Sequence, residues 1–270
     1  MILPDLYWPK EGQPAITAYT VMTLAGILVT IFYMMHLAKK NGFDEYRVLY
    51  VELIAFCGAF FGGHILGAIV EHEHVAEFFR KFGSFSSALE LRNAVNLAFG
   101  TSVFYGGLIL ALIMTSIYIH KTETIRAPYY DMVAVGIPLF HGFGRIGCFL
   151  TGCCYGMPWE HGVGYLHPLT AAPAQTPLVP VQLFEAILNF ALFFFLRRLF
   201  LQKKLGGKLL PLYLIVYSTY RFLLEFLRGD RIRGFVGALS TSQFISILLF
   251  VFGICCWFFL AKKQAPKASE

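Results

Sequence analysis

The 270-residue chain is 57% hydrophobic and only 14% charged, with a net charge of +6 and a mean hydropathy of +0.63. Soluble domains carry about 25% charged residues, so the composition excludes a soluble enzyme, and the long apolar runs read as membrane spans of about 20 residues each. The positive balance does not mark a nucleic-acid binder: the basic residues cluster at the ends of the apolar runs, where they suit anionic headgroups and set topology.

In chain order, residues 1–14 hold Asp5, Lys10, Glu11 and three prolines and read as a polar lead-in. They lack the basic stretch and short apolar run of a signal peptide. A first span is predicted at 15–38, ending at Lys39-Lys40, and a second at 48–70. The second carries Gly58, Gly62, Gly63 and Gly67 on one helical face, which should pack closely on another helix. Residues 71–100 have mixed polarity, and Leu89, Ala94, Val95 and Leu97 give them an amphipathic face for the outer bilayer surface. His72 and His74 read as solvated surface residues, and His64 as either a satisfied core histidine or one facing a cavity. A third span follows at 102–120.

The fourth span begins near Tyr130 and runs into the stretch from Pro138 to Gly156, which holds His141, Arg145, three cysteines and five glycines. The 157–177 segment reads as a polar outer loop with His161, His167 and four prolines. Further spans are predicted at 178–196, 209–227 and 241–260. Seven spans put the termini on opposite sides. One side has 13 Lys and Arg residues and the other 7, which places the N-terminus outside and the C-terminus in the cytoplasm. The expectation is an all-α polytopic integral membrane protein of about seven transmembrane helices, forming a single transmembrane domain over 1–270.

Two arginines lie inside predicted spans, where each costs several kcal/mol, roughly 2.5–3.5 on insertion scales. A helix through Cys148 puts His141, Arg145 and Cys148 on one face at i, i+4 and i+7. A ligand there meets a planar fork suited to phosphate oxygens, a base and a thiol. Tyr217, Arg221 and Glu225 form a second polar stripe at i, i+4 and i+8. Two such arginines favour a shared anionic ligand such as a phospholipid headgroup. The alternative is structural pairing, of Arg145 with Glu185 or Glu225 and of Arg221 with Glu225. Gln182 and Glu185 serve either inter-helix hydrogen bonding or a ligand. The spacing Cys148-x4-Cys153-Cys154 matches neither zinc nor iron–sulfur patterns; no metal and no cofactor is expected. With Cys57, Cys255 and Cys256 inside apolar runs, no disulfide framework is read.

The run Gly144-Arg145-Ile146-Gly147-x-Phe149-x-x-Gly152-x-x-x-Gly156 resembles the signature of bacterial prolipoprotein diacylglyceryl transferases. Tyr19, Gly106-Gly107-Leu108, Pro180-x-Gln182-Leu183-x-Glu185, Tyr217-x-x-x-Arg221-Phe222-x-x-Glu225-x-x-Arg228 and Ser242-Gln243 match in order over nearly the whole chain. The resemblance implies a multi-pass enzyme of the bacterial inner membrane. Such an enzyme moves a diacylglyceryl group from phosphatidylglycerol to the lipobox cysteine thiol of a prolipoprotein signal peptide, and glycerol phosphate leaves. It implies that Arg145 and Arg221 hold the phosphate, that Tyr217 and Tyr19 orient the lipid and that Gly156 permits close approach. Tyr105, Gly106, Gly107, Cys148, Thr151, Cys153, Gln182, Glu185 and Glu225 would line the substrate site by the same resemblance. The chain departs from the family where Cys148, Thr151 and Cys153 replace two amides and a carboxylate. Further departures are Tyr105, Val179 and Phe184, where the family has His, His and Tyr. His141 is then the candidate replacement base. A paralogue with another acceptor, and a non-catalytic lipid-binding or transport protein, are the other readings.

Overall fold

The computed structural model describes residues 2–3, 17–166, 172–230 and 235–264. The predicted lead-in at 4–14, His167, Arg231 and Arg233, and the side chains of Tyr105 and Lys263, lie outside the described residues. Helices α1 (Ala18–Lys40), α2 (Glu45–Val70), α5 (Phe104–Thr122), α6 (Ala127–Thr151), α7 (Val181–Leu201), α8 (Leu209–Leu224) and α9 (Thr241–Gln264) coincide with the seven predicted segments. Between α2 and α5 lie two short helices, α3 (His72–Arg80) and α4 (Ala88–Phe99).

Among the described residues, five helices are long and apolar enough to cross a membrane: α1, α2, α6, α9 and α8 with the turn that extends it to Leu227. The apolar part of α5, Gly106–Thr122, is shorter. The protein is therefore a polytopic helical membrane protein. Among the described residues, two small sheets add to the predicted all-α architecture. In one, β1 (Ile2–Leu3) pairs in parallel with β2 (Pro158–Tyr165); in the other, β3 (Phe235–Val236) pairs antiparallel with β4 (Leu239–Ser240). The segment after α6, predicted as a polar loop, contains a strand, and that strand is also bridged to Leu178.

The chain divides into two compact units, residues 35–126 and residues 1–34 with 127–270. In the 35–126 unit, α2 lies against α5 along the predicted glycine face. A methyl on Gly58 would sit 2.7 Å from Ala111 Cα, and one on Gly62 would sit 2.6 Å from Leu110 Cβ. Gly106 faces Gly62, and Gly107 faces Ala59. Small residues allow this approach, which dispersion then stabilises. Asp44 caps α2 by accepting from the Tyr46 amide at 2.9 Å, and Arg47 joins the start of α2 to Glu123, just past α5, at 2.7 Å. His64 is a satisfied histidine, its Nδ1 3.0 Å from the Phe99 carbonyl. In the 71–100 segment, Phe78 packs edge-on to Phe79, Phe82 and Phe99, while Leu89 and Leu97 stay exposed. Just past α3 the Lys81 ammonium, 2.7 Å from Glu77, holds that carboxyl below its usual range.

The other unit is built on α6, which packs on α7; α8 packs on α7, α6 and α9. Gly142 gives room to the Phe190 ring, and Gly26 of α1 to Phe143. Asp131, buried in α6, accepts from the amides of Gly207 at 2.6 Å and Leu209 at 2.9 Å. A carboxylate from a distant helix therefore caps the start of α8, where free amides and the helix dipole favour negative charge.

Asp131→Ala leaves two buried amides unpartnered and should cost about 1–3 kcal/mol, read as a lower thermal midpoint of the detergent-solubilised protein; an unchanged midpoint would contradict the cap. Gly58→Val should force α2 and α5 apart and lower the midpoint further than Gly206→Ala, at a turn glycine whose Cβ would meet nothing within 4 Å.

Candidate active site

The site forms on the inner face of α6, where a helix rich in glycine carries its polar residues one above another. Pro138 lies inside this helix. Proline removes one amide donor, and the packed neighbours of a membrane helix accommodate the interruption. From Pro138 onward, His141 and Arg145 project on one face toward α7, as the i, i+4 spacing predicts.

Both meet Glu185, which is fully buried. Arg145 Nη2 is 2.9 Å and His141 Nε2 3.7 Å from Glu185 Oε1. The pairing of Arg145 with Glu185, one of the sequence alternatives, is therefore present. The Glu185 carboxylate also lies in the electrostatic field of Arg221 and Arg228. One turn along α7, Asn189 donates to the Glu185 carbonyl at 2.8 Å and accepts from the Tyr220 hydroxyl at 3.0 Å. Tyr217 stacks on Tyr213 with centroids 5.5 Å apart and stands 5.5 Å from the His141 ring. An aromatic wall from α8 thus closes one side of the charged group.

Arg221 pairs with Glu225 Oε2 at 2.7 Å and donates to Ser242 Oγ at 3.0 Å. The α-helix ends at Leu224, and Glu225–Leu227 forms a 3-10 turn. The tighter turn brings in Arg228, which lies just past the predicted span at 209–227. Its side chain is only 3% exposed and grips Asp230 through two nitrogens, at 2.7 and 2.6 Å, with Glu225 3.9 Å away. The Glu225-x-x-Arg228 spacing was the available signal, because residues three apart share a helical face.

Three arginines face three carboxylates, so the cluster is neutral by pairs. Its donors are not all used: Arg145 Nε, Arg221 Nη1 and Arg228 Nη1 are buried with no hydrogen-bond partner among the described residues. Buried N–H groups are normally satisfied, and three unsatisfied guanidinium donors are what an anion with several oxygens would fill.

Beyond the arginines the chain reverses. Thr151 Oγ1 donates to the Gly147 carbonyl at 3.0 Å and contacts Cys153 Sγ at 3.4 Å. Gly152 and Cys154 both adopt positive φ, 73° and 58°. This turn brings the Cys153 and Cys154 thiols back to Cys148, the three sulfurs lying within 4.8 Å of one another. The spacing rule did not anticipate that grouping. Gln182 Nε2 donates to the Cys153 carbonyl at 2.7 Å, and Arg145 Nη1 is 4.0 Å from Cys148 Sγ. Nearby, burial pushes the Tyr165 hydroxyl well above its ordinary pKa, so it stays neutral.

His141, Arg145, Cys148, Thr151, Cys153, Gln182, Glu185, Tyr217, Arg221 and Glu225 therefore belong to one connected polar region. Tyr19 packs beside Gly147, where an added methyl would lie 3.1 Å from its ring. Gly156 is buried by protein: a methyl there would sit 2.7 Å from Val179 Cβ and from Val181 Cγ2. Its close approach is made to the entry of α7. Gly106 and Gly107 belong to the 35–126 unit, where they serve the contact with α2.

A helical membrane protein with a buried arginine cluster is the class these features define. The family model described as prolipoprotein diacylglyceryl transferase matches residues 10–259. The phosphatidylglycerol–prolipoprotein diacylglyceryl transferase of Clostridium tetani is 33% identical over 240 residues, covering 88% of this chain and 91% of the relative. Transferase 2 of Clostridium perfringens is 35% identical over 244 residues, covering 88% and 89%. The Dehalococcoides mccartyi enzyme of the same name is 27% identical over 258 residues, covering 94% and 92%. The chain belongs to the prolipoprotein diacylglyceryl transferase family.

Glu185→Ala should destabilise the protein by about 3–5 kcal/mol, since it leaves Arg145 charged, buried and unpaired. Glu185→Gln should cost less. Equal, small shifts in thermal midpoint for both would show that the pair carries little.

Proposed function

We propose that the buried arginines bind the phosphate of phosphatidylglycerol while its diacylglyceryl group is moved to a prolipoprotein. The chain is a phosphatidylglycerol–prolipoprotein diacylglyceryl transferase, an enzyme of lipoprotein biogenesis. The observation that carries the reading of the site is the set of three buried, unpartnered guanidinium donors on Arg145, Arg221 and Arg228.

The acceptor in this reading is the lipobox cysteine of the signal peptide. Its sulfur attacks the glyceryl carbon that carries the phosphate. The C–S bond forms, the C–O bond breaks, and glycerol phosphate departs with the bonding pair. Charge grows on the phosphate as it leaves, so donors already aimed at it stabilise the transition state more than the ground state. An unperturbed thiol has a pKa near 8.5, and only the thiolate is a good nucleophile. His141, oriented by Glu185, takes the thiol proton. Tyr217 and Tyr19 orient the lipid. Gln182 and Thr151 line the acceptor side.

We read all seven long helices as spans of one transmembrane domain in the bacterial inner membrane, with the N-terminus outside and the C-terminus cytoplasmic. The excess of Lys and Arg on one set of loops supports this orientation. The 71–100 segment then lies on the outer surface, with exposed Phe79, Phe82, Leu89 and Leu97 toward the acyl boundary. The other-acceptor and transport readings are not favoured by the relatives, whose names share one activity.

Purified protein incubated with phosphatidylglycerol and a lipobox peptide should add a diacylglyceryl mass to the peptide and release glycerol phosphate. Arg145→Ala and Arg221→Ala should each lower the rate by at least about 100-fold, and Arg228→Ala by at least about tenfold. Full transfer by folded Arg145→Ala and Arg221→Ala proteins would overturn the site assignment. Retained transfer by His141→Ala at unchanged protein level would remove His141 as the base.

A further inference from the structure

The thiols of Cys148, Cys153 and Cys154 are the group of reactive side chains that the transfer reaction leaves without a role. None of the three is in a disulfide, and Cys148 is buried. Their sulfurs lie within 4.8 Å of one another. Three thiolates around an ion at about 2.3 Å stand about 3.8 Å apart, so each needs to move by at most about 1 Å to share a metal. The positions are held from several sides. Cys148 is in the last turn of α6, Gln182 holds the Cys153 carbonyl, and Gly156 bridges to Arg228 just beyond the pair. The fold thus brings together residues whose sequence spacing gives no metal motif.

We propose that Cys148, Cys153 and Cys154 form a thiophilic metal site of the zinc class whose fourth coordination position receives the acceptor cysteine thiol. Thiolate sets select soft or borderline ions over magnesium or calcium. Three protein ligands with one exchangeable position are the pattern of catalytic zinc, whereas structural zinc takes four. A divalent ion with three thiolates carries one net negative charge, and the Arg145 guanidinium, also paired with Glu185, stands 4.0 Å from the Cys148 sulfur. The same arginine is assigned the phosphate, so metal and donor lipid would meet at one residue.

The inference rests on the reading that the acceptor is a thiol. On coordination the acceptor S–H bond breaks, sulfur keeps the pair as a metal thiolate and the proton passes to His141. The sulfur then forms the C–S bond and leaves the metal as a thioether, while the C–O bond breaks toward glycerol phosphate. Metal-bound thiols are deprotonated near neutral pH. The site thereby supplies thiolate where the family's amides and carboxylate are replaced by Cys148, Thr151 and Cys153.

The test uses the full chain, purified reduced in detergent and titrated first with zinc and then with cobalt(II). One metal per chain and a thiolate-to-cobalt charge-transfer band are expected, with cysteine-to-serine changes at 148, 153 or 154 each weakening binding at least about tenfold. Cys255→Ser and Cys256→Ser, remote in sequence, should leave the band unchanged. A lipobox peptide should shift the cobalt d–d bands, and its Cys→Ser counterpart should not. Absence of stoichiometric metal in folded, reduced protein would overturn the site, and a peptide-independent cobalt spectrum would overturn the acceptor role. Transfer at full rate by chelated, metal-free protein would sink this inference and leave the transferase reading intact. Bound metal with a peptide-dependent spectrum but no diacylglyceryl transfer would retain the metal site and sink the transferase reading.

Discussion

A guanidinium held between apolar helices must have its charge compensated, and the Arg145–Glu185 pair is the constraint on which the rest of this site depends. Glu185 has no solvent of its own, so its charge is answered only by protein. Removing either partner strands the other, which is far more costly than removing both. The pair therefore fixes α6 against α7, and His141, Asn189, Tyr220 and Tyr217 extend it into a wall. Packing alone would align these helices through Gly142 and Phe190. The ion pair adds a requirement for register, because a guanidinium and a carboxylate meet at 2.9 Å in one relative position.

The same logic explains how a neutral cluster can bind an anion. Arg145, Arg221 and Arg228 each keep a carboxylate partner, which makes their burial tolerable before any lipid arrives. Each also keeps one donor out of its ion pair. Phosphate recognition then depends on hydrogen bonds to those donors, with the arginines already held in place by their carboxylates. Such preorganisation reduces the reorganisation needed as charge develops on the leaving group.

Backbone connections at one end of this unit deliver the remaining groups. Gly156 and Met157 bond to both the entry of α7 and the exit of α8: Gly156 to Val179 at 3.2 Å, Met157 to Leu227 at 2.9 Å and Gly229 to Tyr155 at 3.1 Å. These straps satisfy amides that an irregular loop would otherwise leave exposed. They also hold Arg228 and the cysteine pair beside the arginines, although the residues come from segments more than 70 positions apart. Asp131 does similar work at the other end of α6, stabilising the start of α8.

By itself the sequence determined the helices, because a run of about 20 apolar residues has few alternatives in a bilayer. It also determined the glycine face of α2 and the shared faces of His141 with Arg145 and of Tyr217 with Arg221, since helical periodicity is local. The family signature was legible for the same reason, residue by residue. Only the tertiary structure decided that Glu185, and not Glu225, meets Arg145, that Arg228 is buried, and that Asp131 caps a helix 78 residues away. It also decided that Cys148, Cys153 and Cys154 converge. These outcomes depend on where a helix stops and how the chain turns back: the 3-10 turn at Glu225 and the left-handed residues Gly152 and Cys154. Such turns are set by contacts with distant segments, which composition and spacing do not encode.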